Sequence, residues 1–134
     1  MLDDVVMYSW HMIRVQITGH SRFYSSQMFE SSGVSSCFEI NQTKLARFVV
    51  LVKSSYDSSN QFHNWIHAFS VTHNAFHIMM DPAVVKCQGP LERLAILISC
   101  LCHDMYHPGV NSDFLIKSAN PLALKYPQVI YSKR

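Results

Sequence analysis

The segment LERLAILISCLCHDMYHPG, residues 91–109, carries the most structural information in the chain. As a helix, the part from Leu91 to Cys102 would present apolar side chains in every direction. Its only exceptions are Glu92, Arg93 and Ser99. A helix on a protein surface has a polar face, and this segment lacks one, so it is predicted to be buried all round.

The end of this segment places His103, Asp104 and His107 close together in sequence. A buried helix would deliver these side chains into an interior, where an ionised carboxylate costs several kcal/mol unless it is paired or bound to a metal. The pattern therefore predicts a metal site. The alternative is that the helix reaches the surface here and ends at Pro108-Gly109, and so short a motif does not separate the two interpretations.

The composition limits what can surround this helix. With 134 residues, 49% hydrophobic and 15% charged, the chain is one domain at most, either densely packed or a piece of something larger. The formal net charge is only +2, and the Lys and Arg residues are scattered. Proteins that bind nucleic acid gather basic residues into a patch, so we expect no nucleic-acid partner.

The cysteines and the N-terminus indicate the compartment. None of the four cysteines has the two-residue spacing of zinc ribbons or thioredoxin-like sites, so we expect free thiols in a reducing compartment. The chain opens with the acidic MLDD, and no apolar run approaches the ~20 residues needed to cross a bilayer. A soluble, cytoplasmic protein without a membrane span is predicted.

The first half of the chain gives weaker signals. Residues 1–42 are predicted to form one or two short helices joined by loops, with apolar anchors at Phe29, Val34, Phe38 and Ile40. A scaffold helix is expected over residues 43–56, capped by Asn41 or Thr43. Its apolar face would hold Leu45, Phe48, Val49, Val52 and Tyr56.

The segment QFHNWIHAFSVTHNAFHIMM, residues 61–80, reads as one long helix that Asp81-Pro82 stops. It carries four histidines, which form two pairs: His63 with His67, and His73 with His77. The members of each pair lie about 40° apart around a helix, and all four fall within an arc of roughly 120°. Because His67 and His73 are about 9 Å apart along the axis, at most one pair serves a single ion.

Spacing alone does not rank the two pairs. A lone histidine on a helix is more often structural than a ligand, and we interpret His11, His20, His73 and His77 in that way. Asn64 and Trp65 flank the first pair with an amide and an indole donor, the kind of group that fixes an imidazole tautomer. This is a weak preference for His63 and His67.

Three segments in this order resemble a known family: HNWIHAFSV at 63–71, LERLAILISCLCHDMYHPGVNSDFL at 91–115 and LALKY at 122–126. They are similar to the catalytic domain of the class I 3′,5′-cyclic-nucleotide phosphodiesterases, in the group of His-Asp metal phosphohydrolases. The resemblance covers about residues 8–126, and PQVIYSKR at 127–134 diverges from it. It implies an all-α fold, an irregular array of five to seven helices, in which residues 1–134 are the N-terminal part of a larger helical domain.

The resemblance also assigns roles to residues. It implies that His63 is the general acid that protonates the leaving ribose oxygen, and that His67, His103 and Asp104 bind a tightly held ion, usually zinc. Asp104 would bridge to a second ion, magnesium or manganese, with His107 in the shell of waters around it. Asn64, Trp65 and Asn111 would support these groups. Tyr106 and Ser112 depart from the family pattern, which has an aspartate and an amide there.

The implied function is hydrolysis of cyclic AMP, cyclic GMP or both to 5′-nucleotides in signal transduction, with two divalent ions as cofactors. Regulatory domains or a dimer partner in a full-length form are compatible with this resemblance. The alternative function is a non-catalytic, truncated metal-binding or interaction remnant of the family. The tail PQVIYSKR, residues 127–134, is the feature that discriminates between the two, because it resembles neither the family's continuation nor a helix cap. Read-through into an intron or a frame change would give such a tail, and we expect the chain to be an incomplete catalytic domain.

Overall fold

A computed structural model of the chain describes residues 23–126. These residues form helices and no strands, which confirms the all-α prediction for this part of the chain. The predicted resemblance over residues 8–22, with His11 and His20, and the divergent tail 127–134 lie outside the described residues. The helices are α1 (residues 23–31), α2 (Val34–Cys37), α3 (Gln42–Ser54), α4 (Trp65–Met79), α5 (Pro90–Cys102), α6 (Ser112–Lys117) and α7 (Pro121–Lys125), with a 3₁₀ turn at Val85–Cys87.

The core forms where α4 packs on α5. Ala68 and Phe69 of α4 are buried in one cluster with Leu97 and Leu101 of α5. The small Ala68 side chain, with no exposed area, lets the two helices approach closely. This contact fixes the end of α5 against the start of α4.

The smaller helices close one side of this pair. Phe29 of α1 and Val34 of α2 are buried, as predicted, and Ile40 is partly buried against the core. Phe38 is 41% exposed, so its prediction as an anchor was wrong. Phe38 is the C-cap of the four-residue α2, where the chain leaves the helix.

The predicted scaffold helix is α3, and it begins at Gln42 because Asn41 is its N-cap. The Asn41 side-chain oxygen accepts a hydrogen bond from the Lys44 N–H at 3.1 Å, so Asn41 and not Thr43 is the cap. Leu45, Val49 and Val52 are buried as expected. Tyr56 lies beyond the end of the helix and is also buried.

The prediction that α5 is buried all round was wrong for the described residues. Leu91 is 64% exposed and Ile98 is 39% exposed. Within residues 23–126, the helices α2 and α4 are the main contacts of α5, and they cover one side of it. Apolar composition predicts burial only when a neighbour exists to cover each face.

The predicted single helix over residues 61–80 also needed correction. α4 begins at Trp65, because the Asn64 side-chain oxygen accepts hydrogen bonds from the N–H groups of Ile66 and His67. An asparagine that caps a helix holds its own backbone in an extended conformation, which ends the helix there. His63 therefore precedes α4, and the 40° relation to His67 does not apply to it.

No helix in the part of the chain from residue 23 to 126 is both long enough and apolar enough to span a bilayer.

Candidate metal centre

Three side chains from two helix ends converge on one point. His67 lies in the first turn of α4, and His103 and Asp104 directly follow the last residue of α5. The Nε2 atom of His103 is 3.3 Å from Nε2 of His67 and 3.1 Å from Oδ2 of Asp104. The same carboxylate oxygen is 3.4 Å from Nε2 of His67. Among residues 23–126, this is the one such group of three potential ligands.

The hydrogen bonds of His103 fix its tautomer. Its Nδ1 is 2.9 Å from the carbonyl oxygen of Cys100. A carbonyl oxygen only accepts, so Nδ1 carries the hydrogen and donates it. In the neutral ring, the lone pair of Nε2 then points at the group, as a metal ligand requires.

Burial keeps His67 in the form that binds metals. Desolvation lowers the pKa of His67 below its ordinary value of 6.5, and the neighbouring His103 and His63 lower it further, while the Asp104 carboxylate opposes them. A neutral imidazole at pH 7 is the ligand form. Two imidazole lone pairs and a carboxylate oxygen in mutual contact are three acceptors, and they need a proton or a cation between them.

The set fits a divalent ion without rearrangement. With bonds of ~2.0–2.1 Å, two ligand atoms in a tetrahedral zinc site lie roughly 3.3–3.4 Å apart. The three ligand atoms are separated by 3.1, 3.3 and 3.4 Å. Two nitrogens and one oxygen are a typical donor set for catalytic zinc, which keeps an open position. The site is only partly buried, and His103 is 35% exposed, so the prediction of an interior site was wrong.

Tyr56 holds the turn that carries the ligands. Its hydroxyl donates to the carbonyl of Leu101 at 2.7 Å and accepts from the N–H of Asp104 at 3.3 Å. Burial raises the pKa of Tyr56, which keeps its hydroxyl protonated. The sequence placed Tyr56 only on the apolar face of a helix. A buried tyrosine hydroxyl needs a hydrogen-bond partner, and this need was the one indication of the role in the sequence.

His63 lies beside the group of three and is not part of it. Its ring centroid is 6.1 Å from that of His67, and it stacks on His107 at 3.7 Å with an interplanar angle of 14°. The Nδ1 atom of His107 accepts from the N–H of Gly109 at 3.0 Å, so in neutral His107 the hydrogen is on Nε2. His63 and His107 both line a cleft of about 740 Å³ that runs to α6 and α7.

Asn60 fixes the backbone of His63. Its side-chain oxygen accepts from the N–H of His63 at 3.0 Å and from that of Phe62 at 3.2 Å. The amide nitrogen of the Asn60 side chain lies close to Gly109. A Cβ atom added to Gly109 would be 3.1 Å from this nitrogen. Sequence reasoning missed Asn60, because the contact with Gly109 joins two distant parts of the chain.

Gly109→Ala is expected to disturb His63 as well as stability. Gly109 has φ +74°, which costs an L-residue roughly 1–2 kcal/mol, and the new methyl group would push the Asn60 amide away. Gly33 has φ +76° with nothing within 4 Å of its Cβ position, so Gly33→Ala is a matched control for strain alone. The free energy of unfolding, measured in urea, should be lower in both variants than in the wild type. The NMR signals of the His63 imidazole should shift in Gly109→Ala only, and equal spectra would contradict the coupling.

The other predicted site residues have structural contacts. Asn64 uses its oxygen for the α4 cap and donates from its amide nitrogen to the carbonyl of Asn60 at 2.9 Å, so it acts on the backbone and not on an imidazole. Trp65 packs against Tyr56 and Phe69, and its Nε1 has no hydrogen-bond partner among residues 23–126. Asn111 caps α6 through its side-chain oxygen and lines the cleft.

Acidification is expected to destabilise the metal-free chain. Burial is the first cause that lowers the pKa of His67, His73 and His107 below 6.5. The unfolded chain takes up these protons at a higher pH than the folded one, so the free energy of unfolding should fall as the pH drops through 6.5. The midpoints of urea unfolding, measured with a chelator present at about pH 7.5 and 5.5, test this fall. It should be smaller in His73→Gln than in the wild type. A midpoint that is higher at the lower pH would contradict the prediction.

Comparison with known proteins identifies relatives. The family described as 3′,5′-cyclic nucleotide phosphodiesterase matches residues 62–131. The chain is 35% identical over 102 residues to the 3′,5′-cyclic-nucleotide phosphodiesterase regA of Dictyostelium discoideum, and 42% identical over 89 residues to the dual 3′,5′-cyclic-AMP and -GMP phosphodiesterase 11 of Drosophila melanogaster. The crystal structure of the phosphodiesterase domain of the RhoPDE fusion protein from the choanoflagellate Salpingoeca rosetta is similar, with a TM-score of 0.75 and 33% identity.

The matches cover most of this chain and a small part of each relative. They include 76% of the chain and 13% of regA, and 66% of the chain and 6% of the fly enzyme. The structural match covers 80% of the chain and 33% of the choanoflagellate domain.

Proposed function

Because the chain belongs to the 3′,5′-cyclic nucleotide phosphodiesterase family, we propose that it forms the metal-binding part of a catalytic domain that hydrolyses cyclic AMP, cyclic GMP or both. Residues 1–134 would be one part of that domain. The observation that carries the proposal is the contact of His67, His103 and Asp104, whose three ligand atoms lie within 4.8 Å of one another.

The metal ligands in this proposal are His67, His103 and Asp104, with zinc as the preferred ion. Asp104 would also help to hold a second ion, magnesium or manganese, whose waters His107 would contact. When bound, such ions activate a water as a nucleophile near neutral pH and neutralise charge on the phosphate. Tyr56 and the carbonyl of Cys100 keep Asp104 and His103 in position.

His63 would donate a proton to the leaving 3′ oxygen. It borders the cleft beside the metal ligands, yet no ligand atom of the group belongs to it. Two contacts restrict the movement of His63. Its ring stacks on that of His107, and its backbone N–H donates a hydrogen bond to Asn60. A general acid needs this combination of a fixed position and access to substrate.

A role in signal transduction and a cytoplasmic location complete the proposal. All four cysteines fall within residues 23–126, and they are free. Free thiols are typical of a reducing compartment. Regulatory domains or a dimer partner in a full-length form are part of this proposal.

A chimera tests the function without assuming where the natural protein ends. Residues 23–126 would replace the matching segment of the choanoflagellate phosphodiesterase domain. After thermal unfolding has shown that the chimera is folded, it should hydrolyse cyclic AMP or cyclic GMP, and its Asp104→Asn variant should not. A folded chimera that binds zinc and leaves both nucleotides intact would favour the alternative, a non-catalytic metal-binding remnant.

A further inference from the structure

His73 and His77 lie on successive turns of α4, away from the metal centre. Their Nε2 atoms are 3.1 Å apart, and the rings are nearly perpendicular, with centroids at 4.4 Å. His73 is six residues beyond His67, about 9 Å along the helix axis. The pair is therefore too far from the first centre to share its ion.

The distance between the two nitrogens matches a chelate. With metal–nitrogen bonds of ~2.0–2.1 Å, two nitrogens at this separation subtend roughly 95–102° at the ion, between octahedral and tetrahedral values. Two imidazoles at i and i+4 on a formed helix need no backbone change to bind. They lose less entropy on binding than ligands from separate loops do.

The surroundings hold both rings in place and leave room for an ion. His73 stacks on Phe69, with ring centroids 6.2 Å apart, and His77 meets the edge of Phe76. Both histidines line a cavity of about 150 Å³, together with Gln27 and Ser31. These two residues lie in the helical segment α1, and their side-chain oxygens are available types of ligand.

The state of His73 also favours binding through Nε2. Its Nδ1 is buried and has no hydrogen-bond partner among residues 23–126, whereas its Nε2 faces Nε2 of His77, so an ion would bind His73 through Nε2. Burial, and then the proximity of His77, lower the pKa of His73, which keeps the ring neutral. No carboxylate lines the cavity within the described residues, which disfavours Mg²⁺, an ion that proteins usually bind through carboxylates.

We propose that His73 and His77 form a second metal site, selective for imidazole-binding ions such as Zn²⁺, Ni²⁺ or Cu²⁺, in the cavity lined by residues of α4 and α1. The site is independent of the proposed hydrolytic centre. A bound ion would link the last two turns of α4 through His73 and His77, and water or a side chain of α1 would complete the coordination. Bound metal would stabilise this end of the fold without taking part in hydrolysis.

Zinc titration of the full chain by calorimetry tests the proposal. The Asp104→Asn variant, with a weakened first centre, should still bind one equivalent of zinc, and adding His77→Ala should remove it. His77 is exposed, so the substitution should not disturb folding, and Asn74→Ala on the same helix is the matched control. An excess of Mg²⁺ should not compete.

NMR locates the ion independently of stoichiometry. Zinc added to Asp104→Asn should shift the Nε2 resonances of both His73 and His77, and leave them unchanged in the presence of a chelator. If zinc binding is equal with and without His77→Ala, or if the two resonances do not move, the second site does not exist. In the wild-type chain, zinc that shifts His73 and His77 but does not bind at His67, His103 and Asp104 would contradict the proposed function and not this proposal.

Discussion

Asp104→Asn is expected to lower the zinc affinity of the first centre by more than ~100-fold. The substitution keeps the size of the side chain and removes the charge that offsets a divalent ion between two neutral imidazoles. Loss of a residue that only orients a ligand already costs ~10–100-fold in affinity, and Asp104 would be a ligand itself. Its Oδ2 lies 3.1 Å from His103 and 3.4 Å from His67, so removing its charge affects the whole group. Hydrolysis by the chimera should fall to background.

Asp57→Asn is the matched control for this substitution. Asp57 is fully exposed and accepts hydrogen bonds from Ser59, away from the three ligands. Both variants lose one negative charge, and their circular dichroism and urea unfolding should stay close to wild type. Zinc affinity should fall in Asp104→Asn alone. An equal affinity in both variants would show that Asp104 does not bind the ion.

His63→Ala is expected to slow hydrolysis by the chimera ~10²- to 10⁴-fold, the usual range for loss of a general acid, and to leave zinc binding unchanged. The ring of His63 stacks on His107 and contributes no ligand atom to the group of three. Its removal leaves a gap at the cleft, and free imidazole should enter this gap and restore part of the rate. The measurements are single-turnover rates with and without imidazole, and metal content.

Two outcomes would contradict the role of His63. Loss of zinc in His63→Ala would make it a ligand. Unchanged hydrolysis would assign the proton transfer to another group, with His107 the nearest candidate because the two rings are 3.7 Å apart. Gln61→Ala, an exposed neighbour outside the proposed roles, controls for effects on the loop.

Local signals predicted much of the fold. The cap at Asn41 or Thr43 and the apolar face of α3 depend on residues that are close in sequence, so the sequence alone predicts them. The two histidine motifs could be assigned to one site only through the resemblance, because spacing left both histidine pairs open. The structure brings His67 to His103 through the packing of α4 on α5.

The errors came from competition between local interactions and from missing neighbours. Asn64 satisfies the first N–H groups of α4, so the helix starts two residues after His63 even though the apolar pattern continues upstream. The exposure of Leu91 depends on which other helices pack on α5, and the sequence of α5 alone does not predict these neighbours. Tyr56 and Asn60 act through contacts more than 40 residues away in the chain, and no spacing rule reports these.

Anomalous diffraction at the zinc absorption edge, from crystals of this chain grown with zinc, tests the metal centre most directly. We predict a peak within bonding distance, ~2.0–2.2 Å, of Nε2 of His67, Nε2 of His103 and a carboxylate oxygen of Asp104. A separate peak at His73 and His77 belongs to the second site and does not bear on this result. Crystals with full zinc occupancy elsewhere and no peak between His67, His103 and Asp104 would contradict the assignment of the centre.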